Sequence, residues 1–221
     1  MDAEISRESN EDLNIHEYNF DSDLIESVSA SRVPGWNVYQ HIETAVILGR
    51  GSKPEKEINY SACQEDETPV YQRLGGGCAV VLDSGNIIVS VVLPTTGFVN
   101  NQQYFNKLSQ WLIRKLEDIG VNGVYQDGTS DLVYQGRKIG GSSIQRTKDY
   151  LYYSTTLLVN PQVQMLERYL KYPPREPDYR LGRSHKDFVG SLPVANAGEL
   201  VEILSVKLSE ETVIEELKQL I

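Results

Sequence analysis

Gly136-Arg137-Lys138-Ile139-Gly140-Gly141-Ser142-Ser143 is the stretch on which the reading of this chain turns. A basic pair opens into two glycines and two hydroxyls, a set able to gather backbone N–H groups, hydroxyls and one ammonium around a small anion. Asp131-Leu132-Val133-Tyr134 before it alternates polar and apolar side chains and reads as a strand. Tyr152-Tyr153-Ser154-Thr155-Thr156-Leu157-Leu158-Val159 after it reads as a second. The pattern predicts a β-hairpin with Lys138 in a glycine-rich turn at its tip, a rigid mount that fixes a cation against a reacting oxygen. A turn of this composition carrying only a solvated lysine is as common a reading.

The chain has 221 residues and a net charge of -10, enough length for one large domain with small appendages. That charge argues against nucleic-acid binding, which needs a basic stripe to neutralise phosphates. Basic islands at Arg137-Lys138, at Arg146 and Lys148, and at Arg180, Arg183, His185 and Lys186 fit a small anion better. His16, His41 and His185 are scattered, and Cys63 and Cys78 have neither metal-ligand nor disulfide-framework spacing. No resident metal is expected, and a cytoplasmic location is. No apolar run reaches the roughly 18 residues of a membrane span, and the acidic N-terminus has no signal-peptide character.

Residues 1–22 are rich in Asp and Glu with few apolar anchors and read as a flexible arm. Residues 23–195 form the expected main domain, and 196–221 a helical extension of two short helices, the second capped by Ser209. Within the main domain the best helix runs over 101–119, where Phe105, Leu108, Leu112 and Leu116 recur at helical spacing beside Trp111. Shorter helices are expected over 23–30, 58–65 and 163–170, and strands within 36–48, from Val70 and over 89–93. Strands and helices mix without regular βαβ alternation, which predicts an α+β fold.

Gln72-Arg73-Leu74-Gly75-Gly76-Gly77-Cys78 is the second notable run. Three glycines let a backbone approach a ligand closely, although such runs also serve plain flexibility. The run matches neither a P-loop nor a dinucleotide-binding fingerprint. With Asp83 and Gly85-Asn86 behind it, and with Ser130-Asp131-Leu132 ahead of the Gly136–Ser143 segment, it resembles the biotin/lipoate protein ligase family, in particular lipoate–protein ligase A-like catalytic domains. Val46-Ile47-Leu48-Gly49-Arg50 with Glu57-Ile58-Asn59 is similar to the family's upstream strand. Pro173 to His185 resembles the tail of one ligase-like subgroup.

The resemblance covers roughly residues 36–195 and implies the family's α+β fold, a mixed sheet flanked by helices. It further implies that lipoate or a medium-chain acid is activated with ATP and Mg²⁺ as an acyl-adenylate, then passed to a lysine of a lipoyl carrier domain. Lys138 matches the family's essential lysine. Arg73, Gly75, Gly76, Gly77, Asp83, Gly140, Gly141, Ser142, Tyr153 and Thr155 fall at substrate- or nucleotide-binding positions. A separate accessory-domain protein is a further implied partner.

Gln72 stands where the family's first arginine is usual, Cys78 where its last glycine is, Tyr153 where a histidine is, and Gly140 where a serine is. These departures keep a second reading open, a non-catalytic or repurposed member that binds a lipoyl-like group or an adenylate. An ATP-independent acyltransferase is a third. The related transferases place a nucleophilic cysteine where this chain has Gly123-Val124-Tyr125-Gln126, which carries no thiol.

Overall fold

A computed structural model of the chain describes residues 14–95 and 100–221. Its larger sheet is built from β2 (Gly35–Gln40), β6 (Asn86–Pro94), β10 (Tyr150–Leu158), β9 (Arg137–Arg146), β8 (Asp131–Tyr134) and β7 (Val124–Asp127), in that spatial order and antiparallel throughout. The smaller sheet follows the order β1 (Ile15–Tyr18), β4 (Val70–Arg73), β3 (Ala45–Leu48) and β5 (Val80–Leu82). There β4 is parallel to both neighbours and β5 antiparallel to β3. The helices are α1 (Ser22–Ser31), α2 (Pro54–Glu57), α3 (Tyr60–Glu65), α4 (Asn101–Asp118), α5 (Val163–Tyr169), α6 (His185–Phe188), α7 (Ala197–Leu208) and α8 (Thr212–Lys218), with a 3-10 turn over Asp178–Arg180. This is the α+β architecture expected.

Strand β6 organises the molecule. Its β-branched run is buried along its whole length because both faces are covered. Ile87, Val89, Val91 and Leu93 join α4 in the main core, while Ile88 packs with Tyr18, Ile47 and Leu82 of the small sheet. Helix α4 begins where the Asn100 side chain accepts from the Gln102 N–H, and it buries Tyr104, Leu108, Trp111, Leu112 and Leu116. Among the described residues no helix is long and apolar enough to cross a membrane.

Two of the expected boundaries change. Residues 1–13 of the supposed arm lie outside the described residues, but Ile15–Tyr18 forms β1, paired in parallel with β4, and Asp21 is buried. The C-terminal helices are no appendage. Leu200, Leu204 and Leu208 of α7, with Val213 and Leu217 of α8, belong to the same core cluster as α4 and the large sheet. Glu216 accepts from the Trp111 indole at 2.9 Å and pairs with the buried Lys115 at 2.7 Å. Asn196, not Ser209, supplies a side-chain cap here, to α7; Ser209 instead ends that helix. Leu204→Ala, at a fully buried site, is expected to cost about 2–5 kcal/mol of stability. Urea unfolding checks this; a change below about 0.5 kcal/mol, the scale of a surface substitution, would mean that α7 does not share the core.

Candidate active site

The lysine segment is strand, not loop. Gln135 and Gly136 (φ 49° and 73°) form the tight turn between β8 and β9, and Lys138 is the second residue of β9. A bulge pairs Leu132 with Gly140 but Val133 with Lys138, leaving Ile139 as the extra residue. The two glycines serve close packing. A Cβ on Gly140 would lie 2.6 Å from the Thr156 carbonyl oxygen, and one on Gly141 would lie 3.0 Å from Lys138 Nζ. The Lys138 side chain therefore runs flat across β9. Its ammonium sits 2.7 Å from Asp131 Oδ1, with 28% and 14% of the two side chains exposed. The other Asp131 oxygen accepts the Tyr179 hydroxyl at 2.9 Å.

The Gly75–Gly77 loop lies against the same strand. A Cβ on Gly75 would stand 2.5 Å from Ser143 Oγ, so only glycine brings this backbone down onto β9. Arg73 holds the loop from inside. Its guanidinium donates to the carbonyls of Gly76, Cys78 and Ile47 at 2.8 to 3.2 Å, and burial pulls its pKa down to about 10, still cationic at neutral pH. Glu57 closes the far side, accepting from Ala79 N–H at 2.7 Å and Ser52 Oγ at 2.9 Å. Arg73 thus shapes the loop, with most of its N–H groups donated to the loop and to Ile47 of β3; Gly76 and Gly77 are exposed.

Ser142, Tyr153 and Thr155 fall on the other face. Alternation along β9 sends Gly141 and Ser143 one way and Ser142 the other, toward α4. Ser142 Oγ lies 2.8 Å from Tyr153 OH and donates to Thr155 Oγ1 at 2.9 Å, and Tyr153 OH reaches Ser109 of α4 at 3.4 Å. Burial raises the Tyr153 pKa, so the hydroxyl stays neutral. These three clamp β9 to β10 and α4 behind the lysine rather than lining its face.

Asp83 is also structural. Its oxygens accept from Gly85 N–H, Asn86 Nδ2 and Gln162 N–H at 2.6 to 2.8 Å, which fixes the β5–β6 turn and the start of α5. The basic island divides as well. Arg180 is buried, paired with Glu176 at 3.6 Å, its guanidinium 4.8 Å from the Tyr172 and Phe188 ring centres. Arg183 donates to the carbonyls of Gly136, Tyr179 and Arg180.

The site is thus a cation on a strand, a carboxylate beside it and a glycine loop laid against that strand. Residues 16–219 match the family model for the lipoyl protein ligase A/B catalytic domain. The chain belongs to this family. It is 30% identical over 129 residues to the lipoate-protein ligase LplJ of Bacillus subtilis, a stretch covering 58% of this chain and 38% of that protein. It therefore spans well under half the length of that curated relative. A structure of lipoate-protein ligase A bound with ATP shares the fold at TM-score 0.67 and 20% identity, over 89% of this chain and 84% of the other. A bipartite lipoate protein ligase from Thermoplasma acidophilum, described with its E2 lipoyl domain, gives TM-score 0.69 and 20% identity, over 93% and 88%.

The domain also contains a polar centre that sequence reading missed. Ser143, Ser154, Ser90 and Asn37 stand in register across β9, β10, β6 and β2, on the Gly75 side of the large sheet. Above the row's far end sits Asp21, 3% exposed. It accepts from Ser90 Oγ (2.6 Å), Tyr152 OH (2.8 Å), Asn37 Nδ2 (3.0 Å) and Tyr39 OH (3.4 Å). Asp21→Ala strands these buried donors and is expected to cost about 3 kcal/mol. Chemical denaturation reads this directly; an unchanged midpoint would show that the cluster does not hold β2 and β10 to α1.

Proposed function

We propose that this domain activates lipoate, or a similar medium-chain acid, with MgATP and passes the acyl group to a lysine of a lipoyl carrier domain. The observation that carries the reading is the Lys138 ammonium, fixed by Asp131 on a strand that the glycine loop packs against. In the first step a carboxylate oxygen attacks the α-phosphorus of ATP. An O–P bond forms, the bond to the β-phosphate oxygen breaks, and pyrophosphate leaves. In the second step the carrier amine attacks the acyl carbon. A C–N bond forms, the C–O bond to AMP breaks, and the amine loses a proton to solvent.

Negative charge grows on the α-phosphate oxygens in the first step and on the carbonyl oxygen in the second. Lys138 is the cation suited to both, because an ammonium held in place before the reaction stabilises charge that develops only at the transition state. The crest of the loop at Gly76 and Gly77 offers backbone close to the same strand for the nucleotide side. Among the described residues no group of three His, Cys, Asp or Glu side chains could hold a metal, and the Asp83 carboxylate is buried with three donors on it. In this reading Mg²⁺ arrives on the ATP phosphates as part of the substrate.

The bipartite archaeal relative supports a lipoyl domain as acceptor and a separate accessory protein as a possible second component. Free thiols at Cys63 and Cys78 fit a cytoplasmic setting. Engagement of Arg73 by its own loop leaves one cation fewer for a nucleotide, and this favours the binder as the second reading. Pyrophosphate release on mixing the protein with lipoate and MgATP separates the two. Lipoate-dependent release supports the ligase, and saturable lipoate binding with neither release nor acyl transfer from preformed lipoyl-adenylate supports the binder.

A further inference from the structure

Among the described residues the Tyr179 hydroxyl donates to Asp131, and Asp131 in turn holds the lysine. Tyr179 belongs to a 3-10 turn far away in sequence, and several features press that turn against the β8–β9 hairpin. Arg183 donates to Tyr179 O at 2.7 Å and to Gly136 O, at the hairpin tip, at 3.1 Å. The Tyr179 ring packs 5.1 Å from that of Phe188. Val189 then bridges Lys138, with Gly190 N–H donating to Lys138 O at 2.8 Å. Room for the turn comes from Gly128 (φ +55°), where a Cβ would meet Pro177 at 3.1 Å and Tyr179 at 3.8 Å.

From this geometry we propose that Tyr179 is a positioning residue: by occupying one Asp131 oxygen it orients the carboxylate so that the other holds the Lys138 ammonium at the reacting position. The inference rests on the ligase reading for its catalytic consequence, but not for its geometry. A carboxylate bound at one oxygen only can rotate about its Cβ–Cγ bond and offer the lysine either oxygen in several poses. Bound at both, it has one pose, and the ammonium inherits it. Burial and the neighbouring carboxylate push the Tyr179 pKa far up, so the hydroxyl remains a donor over the working pH range. A phenylalanine keeps the ring against Phe188 and removes only that donor.

The test is a double-mutant cycle of Tyr179→Phe and Asp131→Asn with two readouts on the full chain. The first is the acylation rate of Lys138 by acetic anhydride, followed by peptide mass spectrometry, which needs no turnover. Loss of the hydroxyl is expected to loosen the ion pair and raise this rate about fivefold in the wild-type background, with less than about twofold further change in Asp131→Asn. The second is lipoate-dependent pyrophosphate release, where Tyr179→Phe is expected to lower kcat about tenfold at unchanged KM for ATP, again only while Asp131 is present. A merely structural tyrosine would lower the melting temperature and act equally in both backgrounds. Equal effects in both backgrounds, or no change in labelling, would overturn the proposal. Normal labelling coupling in a protein that neither releases pyrophosphate nor transfers the acyl group from preformed lipoyl-adenylate would count against the ligase reading and leave the positioning role standing.

Discussion

Lys138→Ala is expected to lower lipoate-dependent pyrophosphate release by about two to three orders of magnitude, the loss typical when one preorganised donor is removed from developing negative charge. The site makes the loss hard to compensate. Lys138 is held 2.7 Å from Asp131, and its stem lies over Gly141, while its two neighbouring arginines are engaged elsewhere. Arg73 is spent on the Gly76, Cys78 and Ile47 carbonyls, and Arg137, next in sequence, donates to the Val189 carbonyl. Truncation also leaves Asp131 as a carboxylate without its counter-charge, close to where a phosphate would sit, and this adds repulsion to the lost attraction. Because the side chain is partly exposed, global stability should move by less than about 1 kcal/mol. Activity lost with the melting temperature preserved is therefore the expected signature. Retained release would remove Lys138 from the chemistry.

Gly49→Ala is expected to damage both stability and activity. A Cβ at this position would lie 2.0 Å from the Gly77 carbonyl oxygen, a backbone atom that cannot rotate away, and 3.2 Å from an Arg73 guanidinium nitrogen. Relief requires the Gly75–Gly77 loop to lift off β9, which breaks the Arg73 bonds to Gly76 and Cys78. Forced overpacking of this kind costs about 3 kcal/mol. Gly76→Ala is the matching control, since a Cβ there meets no atom within 4 Å. Urea denaturation of the pair should separate them by most of that difference. Equal midpoints would mean that the loop is not seated as described.

The two glycine-bearing segments made the fold readable because several of their glycines, though not Gly76 or Gly136, answer close contacts. Gly75 on Ser143, Gly140 on the Thr156 carbonyl and Gly141 under Lys138 are local chemical demands, and they leave a local mark in the sequence. Helix α4 was legible for a similar reason: its buried stripe lies within one continuous segment. The same glycines misled on conformation. Adjacent glycines followed by serines read as a turn, and only close packing of β8, β9 and β10 makes them strand.

Side-chain roles were less legible than backbone ones. That Arg73 spends its guanidinium on its own loop, or that Ser142 faces α4 while Ser143 faces the glycine loop, depends on register, which a one-residue shift would invert. Asp21 carried no signal at all, since its four donors come from β2, β6 and β10. Helices α7 and α8 were found, but their amphipathic pattern did not say that the face they cover is the main core.

The most direct measurement is the intact mass of a lipoyl carrier domain after incubation with this protein, lipoate and MgATP, beside parallel reactions with preformed lipoyl-adenylate and with Lys138→Ala. The account predicts addition of one lipoyl group to the carrier, abolished by Lys138→Ala in the ATP reaction; addition from the adenylate alone would place the activation step with a separate accessory protein. A carrier left unmodified by both ATP with lipoate and the preformed adenylate would contradict it.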